Sequence, residues 1–173
     1  MKVSKSIVKD DFPSILETFK VALETVFFNE KALIKLILNK KHSLNLISLF
    51  ILVLSLPVKG IDGKINYHIG NIIEAILLTL FFILFLYLLS PNKKLPIGAF
   101  FRIFLAFEVI DILALITIAL PANYLKYFYA CHIAWYLSLS VFAFSKINRI
   151  NYVLSTFFVI ITFFVVNLLP AVL

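Results

Sequence analysis

The chain has 173 residues, 62% of them hydrophobic, a mean hydropathy of +1.05 and a net charge of +7. Soluble domains are about half apolar, so a water-soluble fold of this size could not hide the excess and lipid must solvate much of the molecule. The single cysteine, Cys131, excludes an internal disulfide and a multi-cysteine metal site, and the positive charge, with no basic groove or binding motif beside it, points to anionic headgroups and topology-setting loops rather than to nucleic acid.

Residues 1–42 hold eight Lys and five acidic residues and no apolar core followed by a small-residue cleavage site, so they do not read as a secretory signal. Residues 1–11 are polar. Ser14 followed three residues later by Glu17 is a capping-box pattern, in which each side chain can bond an orphan amide of the first turn. Phe12, Ile15, Leu16, Phe19, Leu23, Val26 and Phe27 then recur at helical spacing, opposite Asp11, Thr18, Lys20 and Glu24. This predicts an amphipathic helix over 14–28 whose apolar stripe is buried. A second short helix is predicted from Asn29, with Lys31, Lys35 and Asn39 along one edge and Leu33, Ile34, Leu36, Ile37 and Leu38 opposite. Both helices suit the inner headgroup layer or the underside of a bundle.

Five apolar runs follow: Leu44–Val58, Ile72–Leu89, Ile103–Leu120, Tyr124–Phe144 and Tyr152–Leu169. A helix needs about 20 residues to cross ~30 Å of hydrocarbon, and most runs fit once their flanks are counted. Pro57 to Gly63, Ser90-Pro91-Asn92, Pro121-Ala122-Asn123 and Lys146 to Arg149 separate them. The expected fold is therefore all-α: a cytoplasmic amphipathic region over 1–42 and a five-helix transmembrane domain over 43–173. With the N-terminus inside, the inner segments carry 13 of the 16 Lys and Arg, which predicts N-in and C-out.

Polar groups inside the bilayer need explanation, since an Asp at mid-helix costs about 2.5–3.5 kcal/mol on insertion scales. Glu108 and Asp111 lie three apart near the centre of the third run and share a face. Arg102, nine residues from Asp111, falls on the other side of that helix. If the third and fourth runs form a hairpin at Pro121-Ala122, residues whose numbers sum to about 243 lie at equal depth. Asp111 is then level with His132, and Glu108 with Trp135. A carboxylate beside an imidazole shares a proton or forms an ion pair. The preferred reading is a structural lock between two helices; the alternative is a proton or cation relay. Secondary polar positions are Asn148, Asn151, Ser155 and Thr162 on the fifth run, Asn45, Ser48 and Ser55 on the first, and Glu74 with Asn71 at the outer end of the second. No nucleophile elbow, zinc-protease or phosphate-loop motif occurs. His42, His68 and His132 sit at different depths, against a bis-His haem, so neither enzymatic activity nor a cofactor is expected.

Ile97-Gly98-Ala99-Phe100-Phe101-Arg102 before the third run, His132-Ile133-Ala134-Trp135 in the fourth, and Phe144-Ser145-Lys146-Ile147-Asn148-Arg149 before the fifth carry a resemblance. In these, and in its order of elements over roughly residues 12–170, the chain resembles the Yip family of five-span membrane proteins. The Tyr-Gly-rich and Asp-Leu-Tyr-Gly-Pro-like stretches of eukaryotic members, which bind Rab GTPases, are absent. The resemblance thus implies the prokaryotic branch, in a cytoplasmic (inner) membrane. The expected function is that of a non-enzymatic, membrane-organising or scaffold protein whose N-terminal helices engage a partner or the anionic headgroup layer, acting as a homo-oligomer or with a membrane partner. The alternative class is a small proton- or cation-linked transporter or channel using Glu108, Asp111 and His132.

Overall fold

The computed structural model describes residues 12–67, 72–91 and 95–172. Among these the protein is mostly helical. Helix α1 (Ile15–Val26) starts at Ser14, whose Oγ accepts from the Glu17 amide at 3.0 Å, as the capping pattern predicts. Helix α2 (Glu30–Leu38) starts at Asn29, whose Oδ1 accepts from the amides of Lys31 and Ala32. At Asn39 the backbone turns extended and the side chain accepts from the Lys41 amide, a local bond that competes with helix continuation. Helix α3 (His42–Leu54) therefore leaves at 114° to α2.

Strands β1 (Pro57–Lys59) and β2 (Ile65–Tyr67) form an antiparallel hairpin where the sequence suggested only a breaker; Val58 pairs with Asn66. Its turn uses Gly63 at φ +80°, a conformation that a side chain would strain. Helix α4 (Ile72–Leu89) follows. The third run is divided. Helix α5 (Ile97–Phe107) passes into a 3₁₀ segment (Glu108–Leu115) and then the short α6 (Ile116–Ala119). Helix α7 (Ala122–Asn148) begins just after Pro121, whose fixed φ suits a helix entry. Helix α8 (Tyr152–Val172) completes the chain.

Helix α5 is central. Ala99, Phe100 and every residue from Arg102 to Phe107 are buried, among them Phe100, Phe104 and Phe107 with no exposed surface. A helix apolar on all sides must be enclosed, and α1, α2, α3, α4 and α7 pack around it. Helices α4 and α7 each pack on both α5 and α8, closing the bundle on the other side.

Two expectations change. Among the described residues, only α4 and α7 are long and apolar enough to cross a membrane as single helices, or three spans if the bent α2–α3 pair is one, and five uninterrupted spans are not found there. The first run yields a 13-residue α3, about 20 Å at 1.5 Å per residue. The third is broken by the 3₁₀ segment, and the described apolar part of α8 is Tyr152–Leu168. The second change concerns α1. Its buried face is Thr18, Val21, Ala22, Thr25 and Val26. Phe12, Ile15, Leu16, Leu23 and Phe27 of the predicted stripe face away from the rest of the protein, which goes against a stripe packed under the bundle but not against one laid on a leaflet, and only Val26 of that stripe is buried within the protein.

Candidate functional site

The 3₁₀ segment puts the two acids together. With about three residues per turn, positions i and i+3 eclipse, so Glu108 stacks under Asp111. Three of its eight residues, Val109, Ile110 and Ile112, are β-branched, which weakens the local preference for α-helix. On α7, His132 and Tyr136 are four apart and also share a face. The pairs meet across the bundle. His132 Nε2 lies 2.6 Å from Asp111 Oδ1, the contact predicted from equal depth. The Tyr136 hydroxyl donates to Glu108 Oε1 at 2.9 Å. Tyr136 thus takes the place next to the residue that depth alone selected, since Trp135 turns away and donates its indole N–H to the Val26 carbonyl at 3.1 Å.

A cavity of about 210 Å³ opens beside these groups, lined by Glu108, Asp111, His132 and Tyr136 together with Thr79 of α4 and Asn167 of α8. A second, of about 280 Å³, lies toward the β hairpin and includes Val58, Ile72, Ala75 and Tyr129. Asp111 and His132 line both. Asp111 keeps a third of its side-chain surface accessible, whereas Glu108 is buried. Past the first cavity an aromatic wall closes the interior. Phe82 packs on Phe104 and Tyr136, and Phe104 on Phe100 and Phe107. Among the described residues no group of three or more His, Cys, Asp or Glu could hold a metal ion.

The secondary polar positions lie elsewhere. Asn148, at the far end of α7, bonds Ser90 after α4 and the Phe144 carbonyl. Asn151 is exposed and its side chain accepts from the Leu154 amide, starting α8. Ser155 is buried and donates to the Val141 carbonyl at 2.7 Å, joining α8 to α7. Glu74 is exposed in the first turn of α4; Asn71 and His68 lie outside the described residues. Ser48, Ser55 and Thr162 bond carbonyls of their own helices.

A second polar centre went unseen in the sequence. The buried Arg102 donates from Nε to the Leu36 carbonyl at 2.6 Å and from Nη2 to the Ile37 carbonyl at 2.7 Å. A guanidinium therefore satisfies the last carbonyls of α2 and complements the negative end of that helix. Beside it, Asn45 donates to the Pro13 carbonyl and to Thr18 Oγ1, and His42 Nδ1 lies 2.9 Å from the same hydroxyl. Lys146 of α7 reaches Glu30 of α2 at 2.9 Å. These bonds fasten α1 and α2 to α3, α5 and α7.

The chain matches none of the protein-family models, curated proteins or solved structures with which it was compared.

Proposed function

We propose that the chain is a non-enzymatic, multi-pass integral membrane protein of the Yip-like class, and that its N-terminal helices form a fixed platform for a membrane surface or a partner. The observation that carries this reading is the inverted face of α1. Its small and hydroxylated residues pack inward, while Ile15, Leu16, Leu23 and Phe27 remain outside among the exposed Lys20, Lys31 and Lys35. Bulky apolar groups beside lysines suit the boundary between acyl chains and anionic headgroups. The α2–Arg102 clamp supports a platform rather than a loose tail, because it ties that surface to α5 through two charge-assisted bonds. The basic asymmetry and the apolar α4 and α7 support insertion in a cytoplasmic (inner) membrane with the N-terminus inside.

A second reading, a small proton- or cation-linked transporter, is favoured by a separate observation: a cavity reaches the Asp111–His132 pair on each side. One experiment separates the two. The purified chain is reconstituted in vesicles holding a pH-sensitive dye, and proton flux is driven by a potassium diffusion potential. Vesicles as tight as protein-free ones, with the protein resistant to alkaline carbonate extraction, support the platform. Flux that disappears in Asp111→Asn supports transport. Release of the protein by carbonate would reject both.

A further inference from the structure

Helix α7 gives a scale of depth. It has 27 residues, about 40 Å at 1.5 Å per residue. Its last residue, Asn148, bonds Ser90 just after α4, so these two apolar helices end level. Lys146 and Arg149 make that end the inner one in the orientation that the basic residues favour. The link between α1 and α2 climbs α7 from there. Lys146 reaches Glu30 at 2.9 Å, the Phe142 and Phe28 rings meet edge-on at 5.5 Å, and Trp135 packs on Phe27 at 6.1 Å while bonding the Val26 carbonyl. Trp135 stands thirteen residues before Asn148, about 20 Å up the helix.

Two other helices place α1 and α2 in the same way. Arg102, which holds the Leu36 and Ile37 carbonyls, is the sixth residue of α5. Asn45, which bonds the Pro13 carbonyl and Thr18, is the fourth of α3. Helix α1 also packs on the 3₁₀ segment, midway along the third apolar run. Helices α1 and α2 therefore lie beside the inner half of the bundle and not beneath it. At the opposite end the described residues add only the β hairpin, held against the end of α6 by Lys59. Two helices, each about 10 Å across, thus widen the molecule on one side of the bilayer midplane.

The outward faces match that depth. Leu16, Lys20, Leu23 and Phe27 form one exposed stripe along α1, and Lys31, Ile34, Lys35 and Leu38 one along α2. The bulky apolar groups suit acyl chains, while lysine stems lie along them and carry the ammonium groups to the headgroups. Five lysines against three glutamates over residues 14–41 favour anionic headgroups.

Resting on the platform reading, we propose that α1 and α2 form a wedge set into the inner leaflet, and that the protein selects membrane whose inner leaflet is convex. The occupant of the α1–α2 face is the acyl and headgroup boundary of an anionic phospholipid leaflet. A body wider in one leaflet fits best where that leaflet is stretched, and binding of this kind depends on curvature.

The test takes the natural chain with a fluorescent dye at its N-terminal amine, reconstituted in giant vesicles of phosphatidylethanolamine and phosphatidylglycerol. A narrow tether is pulled outward, and dye density is compared between tether and vesicle against a lipid dye. A membrane-impermeant bleach separates chains with the N-terminus outward from those with it inward. Outward chains should be enriched in the tether about twofold or more, and inward chains depleted to about half or less. Equal density for both, enrichment of both, or enrichment of inward chains alone overturns the wedge. A nitroxide at Leu16→Cys in a Cys131→Ser background keeps the two inferences apart. Immobile and among acyl chains, with no sorting in the tether, it retains the platform and overturns the wedge. Immobile but open to water, it leaves the face to a protein partner and again overturns the wedge. Rapid free motion of the label rejects the fixed platform itself, and the wedge with it.

Discussion

At the scale of single residues, Arg102 and the Asp111–His132 pair make opposite demands. Helical phase alone places Arg102 on the side of its helix away from Asp111. Its true partners, the Leu36 and Ile37 carbonyls, lie more than sixty positions away, and no local pattern encodes a side chain that ends another helix. Arg102→Ala should lower stability by about 2–4 kcal/mol in detergent unfolding, because two buried carbonyls lose charged donors. Arg102→Lys should recover only part, since an ammonium lacks the planar fork. Equal stability of all three proteins would show that α2 needs no clamp. The acid–imidazole contact was legible in sequence, since hairpin depth is arithmetic and an unpartnered Asp in lipid is costly. Tyr136 was legible too, through its four-residue spacing from His132, but depth selected its neighbour. The losses from Asp111→Ala and from His132→Ala should sum to more than the loss from the double substitution, which recovers part of the stability, with a coupling on the order of 1 kcal/mol or more in a thermal double-mutant cycle. Strict additivity would mean that the two side chains touch without consequence.

At the scale of elements, α1 shows where periodicity stops informing. The 3.6-residue pattern and the Ser14 cap located the helix within two residues at each end. The same pattern did not say which face turns inward, because in lipid the larger apolar residues can face the solvent while small ones allow close packing. Ala22, with no exposed surface, occupies that tight seam, and Leu16, 76% exposed, stands opposite. Ala22→Leu should therefore cost about 1–3 kcal/mol by overpacking, read as a lower midpoint of thermal unfolding. Leu16→Gln should leave that midpoint nearly unchanged. If Leu16→Gln proves the more damaging, the inward face has been assigned backwards. A spin label at position 16 should in addition relax with oxygen more than with a water-soluble nickel chelate, as in an acyl environment.

For the whole molecule, helical content is the property that sequence reaches best and continuity of the apolar helices the one it reaches least. Composition pointed to a bilayer, and α4 and α7, long and apolar enough to cross one, stand where their apolar runs are read. The interruptions arise from Asn39 bonding the Lys41 amide and from the winding of residues 108–115, neither of which alters hydropathy. In a Cys131→Ser background, cysteines placed at Ile61 in the hairpin turn and at Pro91 beyond α4 should react with a membrane-impermeant maleimide from opposite sides, Ile61 from the outside. Reaction of both from one side would remove α4 as a crossing. The 3₁₀ winding also sets a dimension. Eight residues rising ~2.0 Å each, rather than ~1.5 Å, lengthen that rod by about 4 Å. Rewinding them as α-helix would shorten it by the same amount and swing Glu108 and Asp111 about 60° out of eclipse. A bilayer a few ångströms thinner would favour that shorter screw, making membrane thickness a control on the alignment of the two acids.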